Sequence, residues 1–232
     1  MDHPLVELRE AVCGANQDLV RAGLVMCTWG NVSGIDRAVG VVAIKPSGID
    51  YASLAPDDIV LVDLEGNPLE DALRPSSDLP THLEIYRRFP EVGGIAHTHS
   101  AAASSFAQAC RPLPCLGTTH ADHFRGAVPI TRDLTDEETE ADYELNTGRL
   151  IVETFAQQSP MDVPAVLVAR HGPFAWGADP AAAVKNSVVL EACARMAIDT
   201  FSLDPDPGDF PQHLLDRHFN RKHGVDSYYG QD

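Results

Sequence analysis

The chain has 232 residues, 44% hydrophobic and 22% charged, which supplies enough apolar side chain for a core and argues against a disordered chain or a coiled coil. Asp and Glu number 34 against 17 Lys and Arg, a formal charge of −17. That balance argues against nucleic acid and anionic membrane surfaces, so an anionic ligand would need a local site built from a few cations and backbone N–H groups.

Leu5, Leu8, Val12, Ala15 and Leu19 recur at helical spacing and Gly23 supplies a C-cap, which predicts a first helix. Trp29-Gly30-Asn31-Val32-Ser33 reads as a turn. Val41–Ile44 and Ile59–Val62 are short β-branched runs predicted as buried strands, with a turn at Lys45-Pro46-Ser47-Gly48 between them. Ser76-Ser77-Asp78 ahead of Pro80 predicts a helix start, with the helix running to about Arg88. A strand over Val92–Thr98 and a helix over Ser100–Ala109 follow. Thr135-Asp136-Glu137-Glu138 opens what reads as one long helix towards Phe155. Ala165–Val168 is a strand, Asp179-Pro180 opens another helix, and Pro205, Pro207 and Pro211 mark a loop before a terminal helix around Leu214–Lys222. The sum is a mixed α/β fold, one domain over 1–232, with no linker, repeat or low-complexity tract.

Cys13, Cys27, Cys110, Cys115 and Cys193 form an odd set without a Cys-x-x-Cys pair, unlike a disulfide framework or a thiolate zinc site. The N-terminus lacks the basic and apolar regions of a signal peptide, and no apolar run is long enough to span a bilayer, so a cytoplasmic protein is expected.

Histidine carries the strongest local chemistry. His97-Thr98-His99 ends an apolar strand, where residues i and i+2 share a face, so two imidazoles converge on one point. His171 at another strand end supplies a third. Three neutral imidazoles with an open position suit a catalytic metal rather than a closed structural one. Asp78 reads equally as a fourth, oxygen ligand or as a helix cap. The segments Trp29–Ser33, Lys45–Gly48 and Pro75–Ser77 join small residues, hydroxyls and N–H groups that suit a phosphate, with Lys45 adding charge. GxGxxG and GxxxxGK[ST] motifs are absent, which removes the usual dinucleotide and triphosphate readings. Thr118-Thr119-His120-Ala121-Asp122-His123 reads either as a solvated loop or as a carboxylate placed with two imidazoles for chemistry. The closing Tyr228-Tyr229 pair either packs on the body or brings a phenol to a site.

Together these segments resemble the class II aldolase/adducin family over nearly the whole chain. The resemblance rests on Thr28–Ser33, Ile44–Gly48, Pro75–Asp78, Gly94–Ser100, Gly117–Asp122, His171–Gly177, Lys222–Gly224 and Tyr228–Gln231, in that order. It implies a three-layer α/β/α fold around a largely antiparallel sheet. It implies one zinc ion per subunit held by Asp78, His97, His99 and His171. Phosphate and substrate contacts are implied at Gly30, Asn31, Ser47, Gly48, Ser76 and Ser77, with Lys45 as an addition, and an acid/base pair at Asp122 and Tyr229. A homotetramer with sites between subunits is implied, so that Tyr229 would serve a neighbour's site.

Within the family the motifs are similar to the epimerase branch, which implies interconversion of L-ribulose 5-phosphate and D-xylulose 5-phosphate, with L-arabinose use as the natural setting and an ascorbate-type pentose route as the alternative. The C4 hydrogen of such a sugar is not adjacent to the C2 carbonyl, so inversion needs transient oxidation or cleavage of the C3–C4 bond. Without a dinucleotide motif, cleavage, rotation of glycolaldehyde phosphate and recombination fit better. One acid/base group per epimer is then required, which Asp122 and Tyr229 would supply. Related aldolases carry a Glu near position 78 that acts as a base, whereas Asp suits metal ligation. A fuculose-phosphate-aldolase-like enzyme and an adducin-like binding module are the alternatives. His218 and His223 either line the intersubunit site or lie on the surface.

Overall fold

The computed structural model describes residues 3–71, 73–225 and 227–228. Strands β1 (Gly30–Asp36), β2 (Val41–Ile44), β3 (Val60–Asp63), β4 (Gly94–Thr98), β5 (Ala165–Leu167) and β6 (Pro173–Gly177) form one sheet of order β3-β2-β1-β4-β6-β5. Every neighbouring pair in it is antiparallel.

Strand β2 shows why both faces are covered. Successive side chains point to opposite faces, and all four of its residues are buried. Val42 and Ile44 join a large cluster with Val60, Val62, Leu83 and Phe174. Val41 and Ala43 join Val12 and Leu61 on the other side. Helix α1 (His3–Arg21) and the first turns of α7 (Pro180–Leu203) cover one face, where Ala15, Leu19, Val32, Ala96 and Ala183 meet. Helices α2 (Leu79–Arg88), α3 (Ala101–Gln108) and α6 (Tyr143–Thr154) cover the other through Leu83, Phe106 and Ile151. The expected three-layer arrangement is what the chain adopts. The start of α7 presses so closely on β4 that a Cβ at Gly94 would collide with the Asp179 and Pro180 backbone.

Four local expectations need correction. Trp29–Ser33 is not simply a turn, because β1 begins at Gly30. Pro173–Gly177, read only as a motif, is the strand β6. The single helix towards Phe155 is two, α5 (Asp136–Ala141) and α6, broken at Asp142, whose φ of −132° and ψ of 74° lie outside helical values. The segment Thr118–His123 begins with a one-turn helix, α4 (Thr118–Ala121), rather than continuous loop. The terminal helix α8 spans Gln212–His223. Among the described residues no helix is long and apolar enough to cross a membrane, and all five cysteines are free.

Candidate active site

The sheet register assembles the site. Asn31 on β1 pairs with His97 on β4, and His97 pairs with Phe174 on β6, which sets three side chains in a row across the middle of the sheet. The Phe174 ring stacks on His97, with centroids 4.2 Å apart and planes 19° from parallel. His97 is 2% exposed and its Nδ1 donates to the Pro173 carbonyl at 3.0 Å. The proton on Nδ1 leaves Nε2 with its lone pair free.

His97 Nε2 lies 3.1 Å from His99 Nε2, and His171 completes a group whose ligand atoms all lie within 4.8 Å of one another. Nitrogens held at about 2.05 Å by a tetrahedral metal sit about 3.3 Å apart, close to the His97–His99 spacing. His171 stands in the turn between β5 and β6. Arg170 before it adopts φ 63°, a left-handed conformation costing a non-glycine residue about 1–2 kcal/mol. The turn is fastened by Arg170 N–H to Ala107 O (3.0 Å) and Val168 N–H to Gly172 O (2.9 Å), so local strain is held against the ring's position. His171 Nδ1 meets the Tyr143 hydroxyl at 3.3 Å, leaving Nε2 as the atom for a ligand. Burial, reinforced by His97 and His99, pushes the His171 pKa down to about 4, and burial also lowers that of His99. Neutral, unprotonated imidazoles are what a divalent cation requires.

Asp78 sits at the head of α2, yet its side chain makes no cap bond to the helix. Its Oδ2 accepts from Asn31 Nδ2 at 2.6 Å. Burial opposes ionisation of Asp78, but His97, His82, the Asn31 hydrogen bond and His171 together outweigh it and hold the carboxyl below its usual range. Of its two sequence readings, the helix cap is not the one its side chain fulfils. Three imidazoles and an adjacent ionised carboxylate form a donor set that fits a divalent metal.

Beside this cluster lies a cleft of about 190 Å³ lined by Thr28, Gly30, Asn31, Lys45, Pro46, Ser47, Gly48, Ser76 and Asp78. Two of the turns expected to cradle an anion are stitched together: Ser47 N–H donates to Arg74 O (2.9 Å) and Ser76 N–H to Lys45 O (3.0 Å). Those two amides are therefore spent within the protein, contrary to the expectation of exposed donors. Ser76 Oγ accepts from the Asp78 N–H at 3.3 Å. Ser77 is exposed and not among the cleft-lining residues. Lys45 is 2% exposed, and its Nζ donates to Ile49 O at 2.7 Å and Pro46 O at 3.2 Å, which leaves one of its three protons for a ligand. Burial lowers its pKa. Gly30, at φ +120°, is indispensable here, because a Cβ would sit 2.8 Å from both the His97 carbonyl and Val25.

Asp122 is bonded to the terminal helix rather than to the imidazoles. Its Oδ1 accepts from His218 Nδ1 (2.9 Å) and Arg221 Nε (2.9 Å), its Oδ2 from Arg221 Nη2 (2.5 Å), and Lys222 stands 3.8 Å away. His223 donates to the Asp122 carbonyl at 3.0 Å. His218 and His223 thus fasten α8 to α4, and none of these bonds reaches the three imidazoles. Burial opposes its ionisation, but Arg221, His218 and Lys222 prevail and lower the Asp122 pKa. Tyr229 lies outside the described residues. Sequence reasoning missed Tyr143, hidden in an expected continuous helix. It also missed Arg221, though its spacing of three from His218 on a helix puts both on one face.

With fold and site in view, comparison places the chain. The family model for the class II aldolase and adducin N-terminal domain matches residues 10–198, and the protein belongs to that family. Among solved structures, it is similar to an L-fuculose 1-phosphate aldolase at 26% identity and a TM-score of 0.78, covering 93% of this chain and 95% of that one. An L-fuculose-1-phosphate aldolase from Thermus thermophilus is 25% identical, with a TM-score of 0.65 over 88% of this chain and 98% of that one. An L-fuculose 1-phosphate aldolase from Glaciozyma antarctica, 18% identical, shares the fold with a TM-score of 0.75 over 93% and 81%.

Proposed function

We propose that the protein is a zinc-dependent epimerase that inverts C4 of a pentulose 5-phosphate, interconverting L-ribulose 5-phosphate and D-xylulose 5-phosphate by breaking and remaking the C3–C4 bond. The observation that carries this reading is the state of Asp78: a short carboxylate beside three imidazoles, clamped by Asn31 at 2.6 Å and kept ionised. A group so held serves as a ligand and electrostatic anchor. It is poorly suited to pick up and return a proton at carbon, the task a free lyase gives its base.

His97, His99, His171 and Asp78 would hold the metal, which supplies Lewis acidity for negative charge developing on a neighbouring carbonyl and hydroxyl pair. Ser47, Gly48 and Ser76 in the cleft, with the remaining Lys45 proton, would receive the phosphate, while Ser77 is the weakest of the expected contacts. Asn31 Oδ1 is buried without a hydrogen-bond partner and would accept from a sugar hydroxyl. Holding the phosphate keeps the two-carbon fragment in place while its aldehyde turns over, so recombination on the opposite face competes with release. Asp122 and Tyr229 would transfer the C4 hydroxyl proton, one for each epimer. Since the bonds of Asp122 run to α8 of its own chain and none of them to the imidazoles, these two roles would be met between neighbouring subunits, as in a homotetramer with shared sites.

A second reading, a sugar-phosphate aldolase, is favoured by the 26%-identical L-fuculose 1-phosphate aldolase. Incubation with L-ribulose 5-phosphate, with and without chelator, separates the two. Chelator-sensitive appearance of D-xylulose 5-phosphate supports the epimerase. Accumulating glycolaldehyde phosphate without the epimer, or rapid cleavage of L-fuculose 1-phosphate alone, refutes it in favour of the aldolase.

A further inference from the structure

Ser33, His82 and Tyr86 have no exposed surface, yet each carries polar atoms that the proposed chemistry does not use. Ser33 Oγ lies 2.7 Å from His82 Nδ1 and 2.7 Å from the Tyr86 hydroxyl. A buried phenol needs an acceptor, and Ser33 Oγ is in place to be one, so Tyr86 O–H donates to Ser33. The Ser33 proton then goes to His82 Nδ1. The reverse order would leave the phenol proton stranded. His82 Nδ1 is therefore an acceptor, and because burial keeps the ring neutral, with a pKa down to about 3, its one proton sits on Nε2.

That Nε2–H is itself buried and without a partner. An unmatched buried donor costs about 1–3 kcal/mol, so a well-ordered one calls for an acceptor close by. His82 follows Asp78 by one helical turn, its N–H bonded to the Asp78 carbonyl at 3.1 Å. Side chains at i and i+4 share a face, and helical side chains lean towards the N-terminus, so the imidazole leans towards the Asp78 side chain. Its electrostatic partners are Asp78 first and His97 second, and its ring meets the edge of Phe174 at 5.9 Å.

We propose that His82 is a positioning residue for Asp78: its Nε2–H, fixed in tautomer and orientation by Ser33 and Tyr86, is a second donor beside Asn31, acting through one bridging water to hold the carboxylate in its metal-binding orientation. The proposal rests on the reading of Asp78 as a metal-site carboxylate.

The test has two independent readouts. In histidine-¹⁵N-labelled protein without metal, the His82 resonances at pH 7 should report the neutral Nε2–H tautomer, and Tyr86→Phe should shift population towards Nδ1–H; an Nδ1–H tautomer in the wild type overturns the proposal. In chelator competition, His82→Phe should weaken divalent metal binding about 10–100-fold, and His82→Gln, which retains an N–H donor, should recover most of that loss. In an Asp78→Asn background, His82→Phe should add little further loss, since residues acting through one another are not additive. A full additional loss there, or wild-type affinity in a folded His82→Phe variant, overturns the proposal. Should His82→Phe not fold, His82→Gln and Tyr86→Phe carry the test. Wild-type affinity in Asp78→Asn alone would refute the ligand reading of Asp78, and is a separate outcome from weak binding in Asp78→Asn with normal binding in His82→Phe.

Discussion

Replacing Asn31 by Leu tests the clamp on Asp78 most directly. Asn31 is 2% exposed, and Leu keeps its approximate volume while removing the donor that lies 2.6 Å from Asp78 Oδ2. A hydrogen bond to a charged acceptor contributes about 1.5–3 kcal/mol, which corresponds to roughly 10–150-fold in an equilibrium that depends on it. The same range follows from loss of an outer partner of a metal ligand, about 10–100-fold in metal affinity. The sign with pH follows from the same bond. Asn31 lowers the Asp78 pKa, so its loss raises that pKa, and the ionised carboxylate disappears at a higher pH as acid is added. Chelator competition from pH 5 to pH 8 should therefore show weaker binding at pH 7 and an acid limb displaced to higher pH. An Asn31→Leu protein that binds metal as tightly as wild type, with an unmoved acid limb, would show that the 2.6 Å contact does not organise Asp78.

Three further outcomes are expected. His97→Asn should lose most bound metal and activity while retaining its circular dichroism, because a buried ring with one nitrogen tied to Pro173 offers the other to the metal; full metal content measured by atomic emission would contradict this. His120 and His82 are buried with pKa values pushed by burial to about 4 and about 3. The unfolded chain binds protons near pH 6.5, so stability is retained above that pH and lost as pH falls towards 4, by about 2 kcal/mol for each group at pH 5. A urea midpoint of the metal-free protein that is the same at pH 7 and pH 5 would refute this. Arg221→Met removes the paired donors on Asp122, whose side chain is 12% exposed, and should cost about 2–3 kcal/mol after allowance for partial exposure and loosen α8. Protease cleavage within residues 212–223 should accelerate, and an unchanged rate with an unchanged midpoint would refute the docking role.

The parts of the fold legible in the sequence are those whose side chains alone decide them. Val41–Ile44 is apolar at every position and buried on both faces, and the α1 stripe from Leu5 to Leu19 repeats at helical spacing. Strand β1 was not legible because Gly30, Asn31, Ser33 and Gly34 are poor strand formers. They extend because β2 and β4 bond to them from both sides, and Gly34 admits Val12 and Pro180 where a Cβ would collide. The break at Asp142 carries no Gly or Pro. It is set by tertiary contacts: Arg132 holds Glu138 on α5 at 2.8 Å, while α6 packs on α2 and presents Tyr143 to His171.

The site divides along the same line. His97 and His99 were legible because a two-residue period on a strand is a local rule, and His171 because a strand end precedes it. The position of Asp122 was not, since its partners His218 and Arg221 are 96 and 99 residues away and no local pattern links them. The charge of −17 posed the opposite problem: it argued against anionic ligands, yet this ion pair gathers Arg221, Lys222 and protonatable rings around one carboxylate. Arg221 stabilises the ionised form of Asp122, which makes the carboxylate a weaker base and its protonated form a stronger acid. A carboxyl of lowered pKa gives its proton back readily once it has taken one. Of the two proposed acid/base posts, Asp122 would therefore be the readier donor once protonated, and Tyr229, with the higher intrinsic pKa of a phenol, the stronger base once ionised.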